Sequence, residues 1–119
     1  IGEREAVSDV AELGACLEES FSSLRLMGIE CALTALAGER IYVRDAVRIY
    51  SFLESIIEAC VDSIKFMWVK IRPCGEEMVF CMEVESEDDL NSFFDKTDQG
   101  ECEDGIWKFT FTIKKAGEK

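Results

Sequence analysis

The chain contains no histidine among its 119 residues. Histidine is the usual general base and the commonest metal ligand, so its absence excludes imidazole catalysis and any phosphohistidine formed within this segment. Six cysteines are present, but no two of them form a C-x-x-C pair, which argues against a zinc site. Several lie in apolar patterns, and this favours buried free thiols over a disulfide framework.

Positive charge is also scarce, because 13 Lys and Arg stand against 25 Asp and Glu, for a net charge of −12. This balance repels phosphate backbones, and we expect no nucleic-acid partner. No apolar run reaches the roughly 18 residues that cross a bilayer, and we expect no membrane contact by this segment. The chain begins with Ile1 rather than Met, which predicts that it is either a piece of a longer protein or a processed chain.

What the chain does contain is the sequence of a folded core. Hydrophobic residues make up 48% of it, and its length suits one domain that buries about two thirds of its surface. Residues 1–27 repeat apolar positions at steps of three and four, at Val7, Val10, Gly14, Leu17, Phe21 and Leu24. This seam predicts an amphipathic N-terminal helix, either packed on the domain or linking a dimer. Residues 28–119 are then predicted to form the domain itself.

The remaining pattern combines one more helix with several strands. Residues 45–62 predict a helix that is apolar over most of its circumference and therefore buried. Alternating apolar and polar residues predict strands at 29–36, 64–72, 77–85 and 106–115. Between the last two strands, Ser86 is predicted to cap a short helix, and the polar residues 97–104 to form a loop. This order indicates an α+β fold, a two-layer sandwich with helices on one face of a mixed, mostly antiparallel sheet.

That order of elements, with these residues, resembles the histidine-kinase-type ATPase domain, the Bergerat or GHKL fold of bacterial sensor kinases. The resemblance covers residues 17–115. It is carried by four segments, LEESFSSLRLMGIEC, DAVRIYSFLESIIEACVDS, IKFMWVKIRPCGEEMVFCMEVES and DGIWKFTFTIKK. The second is similar to the helix that carries the N box, and the third to the hairpin that leads to the first glycine box.

The resemblance implies the catalytic module of a sensor histidine kinase in two-component signal transduction. It implies ATP and Mg²⁺ as cofactors. Its expected partners are other segments of a longer kinase chain, a response regulator or a second copy. The implied location is cytoplasmic, including the cytoplasmic part of a membrane-anchored sensor.

The family's chemical motifs are replaced by acidic residues in this chain. The N-box asparagine that holds Mg²⁺, and the preceding glutamate that acts as base, correspond to the region of Glu54 and Glu58, which are the candidate catalytic residues; Glu58 is also the candidate Mg²⁺ ligand. The first glycine box supplies an adenine-binding aspartate, and Glu83 or Glu85 would stand in that position. Neither this box nor the glycine-rich lid is present, so the resemblance implies weak binding of ATP or none.

Each of these sites has a plainer alternative. The acidic stripe on the second helix could be a solvated face, and Glu83 and Glu85 could be solvent-exposed residues at the edge of a sheet. Trp68 and Trp107 could stack a base or belong to the strand core. Five cations could steer an anion or balance neighbouring acids, namely Lys65, Lys70, Arg72, Lys114 and Lys115.

Three hypotheses about function follow. The first is a degenerate kinase module that acts by protein contact. The second is an active ATP-dependent protein-histidine kinase domain, whose phosphoacceptor lies on another segment. The third is a non-enzymatic interaction or dimerisation module. Sequence alone leaves open whether the chain is an enzyme.

Overall fold

Two long helices and seven strands make up the computed structural model, which describes residues 6–35 and 38–116. The helices are α1, Val10–Leu26, and α2, Val43–Cys60, and a short 3-10 helix covers Asn91–Lys96. The strands are β1 Val7–Asp9, β2 Glu30–Ala35, β3 Arg40–Tyr42, β4 Phe66–Cys74, β5 Glu77–Glu85, β6 Gln99–Glu103 and β7 Ile106–Lys114.

The main sheet has five strands in the order β2-β4-β5-β7-β6. The β2–β4 pair is parallel, and the other three pairs are antiparallel. A parallel pair requires a crossover connection, and α2 lies in the connection between β2 and β4. Strands β1 and β3 form a separate two-stranded ladder. The predicted α+β class with a mixed, mostly antiparallel sheet is confirmed.

One face of the main sheet packs against both long helices and forms the core. In β5 and β7 every second residue is buried, and the predicted inward face of β7 is confirmed. Phe21 of α1 and Leu53 of α2 are completely buried in the same cluster as Phe109 and Phe111 of β7. The opposite face of the main sheet, called the open face below, is not covered by either helix.

Helix α1 begins at Val10, later than the N-terminal helix predicted for residues 1–27, of which residues 1–5 lie outside the described part. Asp9 caps the helix, since its carboxylate accepts a hydrogen bond of 2.8 Å from the Ala11 amide. Val7 lies in β1 rather than in the helix. From Val10 onward the apolar positions of the seam are buried against the sheet, so these side chains are not free to pair with a second helix.

The prediction for the connection between β5 and β7 was partly wrong. Residues 97–104 are not a loop, because Gln99–Glu103 forms β6 and pairs with β7 at the sheet edge. All five residues of β6 are exposed, which explains why no alternation of apolar and polar residues announced the strand. The short helix is present, but it begins at Asn91, and Ser86 does not cap it.

Candidate functional site

Glu54 and Glu58 lie one turn apart on α2, but their surroundings differ. Glu54 is half-buried, and its Oε2 accepts a 2.6 Å hydrogen bond from the Ser20 hydroxyl of α1. Glu58 is exposed and forms no hydrogen bond or ion pair with any residue that the structure describes. Glu54 therefore joins the two helices, whereas Glu58 is a solvated carboxylate.

Glu83 and Glu85 lie on the open face of the sheet. Their neighbours on β5, Val84 and Met82, point into the core, which fixes the two glutamates on the other side. Glu83 lies between Trp68 and Lys108 across the strands. Because the sheet separates these carboxylates from α2, one ligand cannot contact both pairs of candidate residues.

Aromatic side chains of the connection that follows β5 pack between α2 and the strand β7. Phe93 meets Phe52 of α2 edge-on, with ring centroids 5.9 Å apart. Phe94 lies 5.7 Å from Trp107 and 5.5 Å from Phe109, both on β7. We call Phe93 and Phe94 the aromatic plug, because they close this end of the interface between helix and sheet.

Gly100 of β6 is required for the position of Phe94. A Cβ atom at residue 100 would lie 2.3 Å from Phe94 Cδ1, far inside contact distance. The ring therefore rests directly on the strand backbone. Glycine also weakens a strand interior, so its presence in β6 is explained by this close approach.

A polar cluster that sequence reasoning missed links the residues after α2 to the residues after β5. The Ser63 and Ser86 hydroxyls lie 2.6 Å apart, and the Ser63 hydroxyl donates to Asp88 Oδ2 at 2.7 Å. The Ser86 hydroxyl also accepts a 3.0 Å hydrogen bond from the Asp88 amide, and Ser86 is only 3% exposed. These bonds fix the start of the connection that carries the plug. The sequence offered only a Ser-x-Asp turn pattern here.

Comparison with solved structures decides the fold, whereas neither protein-family models nor curated protein sequences match the chain. The nucleotide-free catalytic domain of histidine kinase ThkA superposes with a TM-score of 0.69 at 14% identity, over 95% of this chain and 97% of that one. Histidine kinase AdeS of Acinetobacter baumannii gives 0.61 at 13% identity, over 98% and 70%. The chain has the fold of a histidine kinase catalytic domain. ThkA in complex with the response regulator TrrA gives 0.65 at 15% identity, over 94% of this chain and 42% of that one.

The kinase-type fold implies ATP and Mg²⁺, but the residues present do not fit them. By the resemblance, the nucleotide would contact the helix that carries the N box and the strand end that carries the first glycine box, which here are α2 and the end of β5. The aromatic plug lies in the connection that follows this strand end. Glu54 turns toward α1, while the side of α2 that meets the 3-10 helix carries Ser51, Phe52 and Ser55. Within the described residues, no three acidic or cysteine side chains are grouped as metal ligands.

Two smaller features near the plug do not change the conclusion that the residues present do not fit ATP and Mg²⁺. A hollow of about 290 Å³ between α2, the 3-10 helix and β7 is lined by Arg48 and Lys96 but by no carboxylate that could hold Mg²⁺. The indole N–H of Trp107 is buried and has no hydrogen-bond partner among the described residues. A single donor beneath Phe94 cannot hold a triphosphate.

Neither long helix of the kinase-type fold is apolar enough over a sufficient length to span a bilayer, as judged on the residues that are described.

Proposed function

We propose that the chain is a catalytic-domain-like module of a bacterial two-component sensor kinase that binds ATP weakly or not at all and acts through protein contacts. The observation that supports this proposal is the aromatic plug, which packs between α2 and β7 beside the segments that would carry the two nucleotide boxes, in a domain of histidine-kinase fold. The replacement of both nucleotide boxes by glutamates supports it. The module would comprise residues 28–119 together with residues 1–27, the segment that contains α1.

A groove between the two helices supports the contact function. It has a volume of about 340 Å³ and is lined by Ser8, Glu12, Leu13, Cys16, Val43, Ala46, Val47 and Tyr50. Val47 is 57% exposed, which is high for a branched aliphatic residue. Apolar surface of this kind marks protein contacts. The partners we propose are other segments of a longer kinase chain, a response regulator or a second copy.

The cysteines support a cytoplasmic location for the module. All six are unpaired, and Cys16, Cys74 and Cys102 are exposed. Exposed free thiols suit a reducing compartment. A module attached to a membrane-anchored sensor would lie on the same side.

Calorimetric titration with ATP, with and without Mg²⁺, tests the proposal. We expect no saturable heat up to millimolar ATP, where binding would contribute only about −4 kcal/mol. Glu58→Ala should behave like the unchanged protein, because Glu58 is a solvated carboxylate. Glu54→Ala is the matched variant on the same helix, and it should lower stability through loss of the Ser20 contact without altering the titration.

The active-kinase alternative predicts the opposite result. Binding would then require Mg²⁺ and would be lost in Glu58→Ala, with Glu58 as metal ligand and Glu54 or Glu58 as base. Loss of ATP binding in Glu83→Gln or Glu85→Gln would assign the adenine contact to the open face. Either finding would contradict a degenerate module.

A further inference from the structure

The open face of the main sheet has an acid-poor zone near its centre. Strand register places the open-face residues in rows that cross the sheet. In two adjacent rows no strand residue is acidic, one with Arg72, Val79 and Thr112, the other with Thr34, Lys70, Cys81, Thr110 and Gln99. The Asp98 carboxylate meets the first row at its β7 end, where its Oδ2 accepts a 2.6 Å hydrogen bond from the Thr112 amide. In a chain with a net charge of −12, such a zone is unusual.

Three cations surround Cys81 in this zone. Lys70 lies directly opposite it on β4, while Arg72 and Lys108 take the diagonal positions on β4 and β7. Such neighbours lie roughly 5 Å and 7–8 Å away across a sheet. None of the three side chains forms a hydrogen bond or ion pair with another residue in the described part of the chain.

Neighbouring acids adjoin the cluster and limit its charge. Glu83 and Glu101 lie on either side of Lys108 in the next row. Glu83 is also diagonal to Lys70, and Glu77 is diagonal to Arg72, so Lys70 and Arg72 lack a carboxylate only at the directly opposite position. Acids farther away than about 8 Å are screened at physiological salt, so the three cations and these neighbouring acids set the local potential.

The cations border two adjoining hollows that share Arg72, Cys81 and Lys108. One is about 510 Å³, extends toward Thr110 and is also lined by Glu101. The other is about 420 Å³, extends toward Trp68 and is also lined by Glu83. Both volumes lie in the range of small-molecule sites.

Trp68 gives the second hollow an aromatic wall. It is 41% exposed, and its ring stacks on Phe66 with centroids 4.4 Å apart. Trp68 lines the hollow but Phe66 does not, so the indole borders it on the side away from Phe66. A flat aromatic group could stack there.

We propose that these hollows bind a phosphate monoester, with its phosphate held by Lys70, Arg72 and Lys108. A group of three cations matches an anion that carries two negative charges better than a singly charged carboxylate. The guanidinium of Arg72 can contact two phosphate oxygens, and Lys70 and Lys108 add point charges. Trp68 would stack an aromatic substituent of the ester. This site lies on the opposite side of the sheet from the expected nucleotide position and does not depend on the proposed function.

Nuclear magnetic resonance of the two indole N–H groups tests this directly, with inorganic phosphate and phenyl phosphate as probes. Trp68 borders the hollows and Trp107 is buried on the other face, so Trp107 is an internal reference. We expect a saturable shift of the Trp68 signal alone. Arg72→Ala should raise the Kd roughly tenfold, as expected when a hydrogen bond to a charged group is lost. Lys114→Ala, on the same face but opposite Glu77, should leave the Kd within about twofold.

The two probes distinguish an aromatic phosphate ester from the phosphate group alone as the ligand. Tighter binding of phenyl phosphate would identify an aromatic ester as the ligand class, and equal binding would assign the site to the phosphate group alone; both support the proposal. No saturable shift at tens of millimolar, or equal weakening in Lys114→Ala and Arg72→Ala, would overturn it. A response to a glutamate-rich peptide but not to phosphate would also overturn it, in favour of an acidic protein partner.

Discussion

At the scale of single residues, burial decides which thiols can react. Burial raises the pKa of the Cys31 thiol to about 11 and also raises the pKa of Cys60. The thiolate is the nucleophile, so these two cysteines should resist alkylation in the native protein while the three exposed ones react. Mass spectrometry after alkylation with and without denaturant would show this, and native labelling of Cys31 would contradict it.

The same burial makes stability depend on pH. The folded state holds the Cys31 proton up to about pH 11, whereas the unfolded thiol loses it near its ordinary pKa of about 8.5. The unfolded state therefore binds fewer protons in this window, and the free energy of unfolding falls as pH rises from about 8.5 to 11. Denaturant titrations at several pH values would measure the fall. It should be smaller in Cys31→Ala than in the unchanged protein.

Single residues also show where sequence reasoning reaches its limit. The alternation of Trp107, Phe109 and Phe111 correctly predicted which face of β7 is buried, since period-two burial follows from strand geometry. The spacing of Glu54 and Glu58 correctly placed both on one helix. It could not show that Glu54 faces Ser20, because the neighbour of a helix face depends on how the helices are packed.

At the scale of elements, the 3-10 helix carries the aromatic plug that supports the proposed loss of nucleotide binding. If the aromatic plug alone blocks the site, then Phe93→Ala with Phe94→Ala should create Mg²⁺-dependent ATP binding. We expect no such gain, because no three acidic or cysteine side chains are grouped as metal ligands within the described residues. Calorimetry on the double variant would measure this. Saturable binding would show instead that a working site lies beneath the plug.

The strands that the sequence did not predict all lack a readable alternation of apolar and polar residues. β1 and β3 have only three residues each, too few to display a period. β6 is an edge strand with every residue exposed, so its sequence, QGECE, is polar on both faces. Edge strands often carry charge, which discourages pairing with other chains. The long central strands were predictable because one of their faces is buried along the whole strand and the other is not.

At the scale of the whole molecule, α1 and the sheet share one hydrophobic core. Phe21 of α1 is completely buried in the cluster that contains the β7 aromatics. We therefore expect Phe21→Ala to destabilise the entire domain by about 3–5 kcal/mol. Loss of helix by circular dichroism and the change in tryptophan fluorescence, from Trp68 on β4 and Trp107 on β7, should coincide in one transition, as they do in a cooperative unit.

Leu26 provides the matched control for Phe21, because it lies on the same helix but is 90% exposed. Leu26→Ala should change stability by no more than about 0.5 kcal/mol. If Phe21→Ala instead unfolded the helix while the tryptophan fluorescence stayed native, α1 would be a separate unit that only packs on the domain. The predicted division at residue 27 would then describe two independently folding parts, and the helix could act as a linker to a partner.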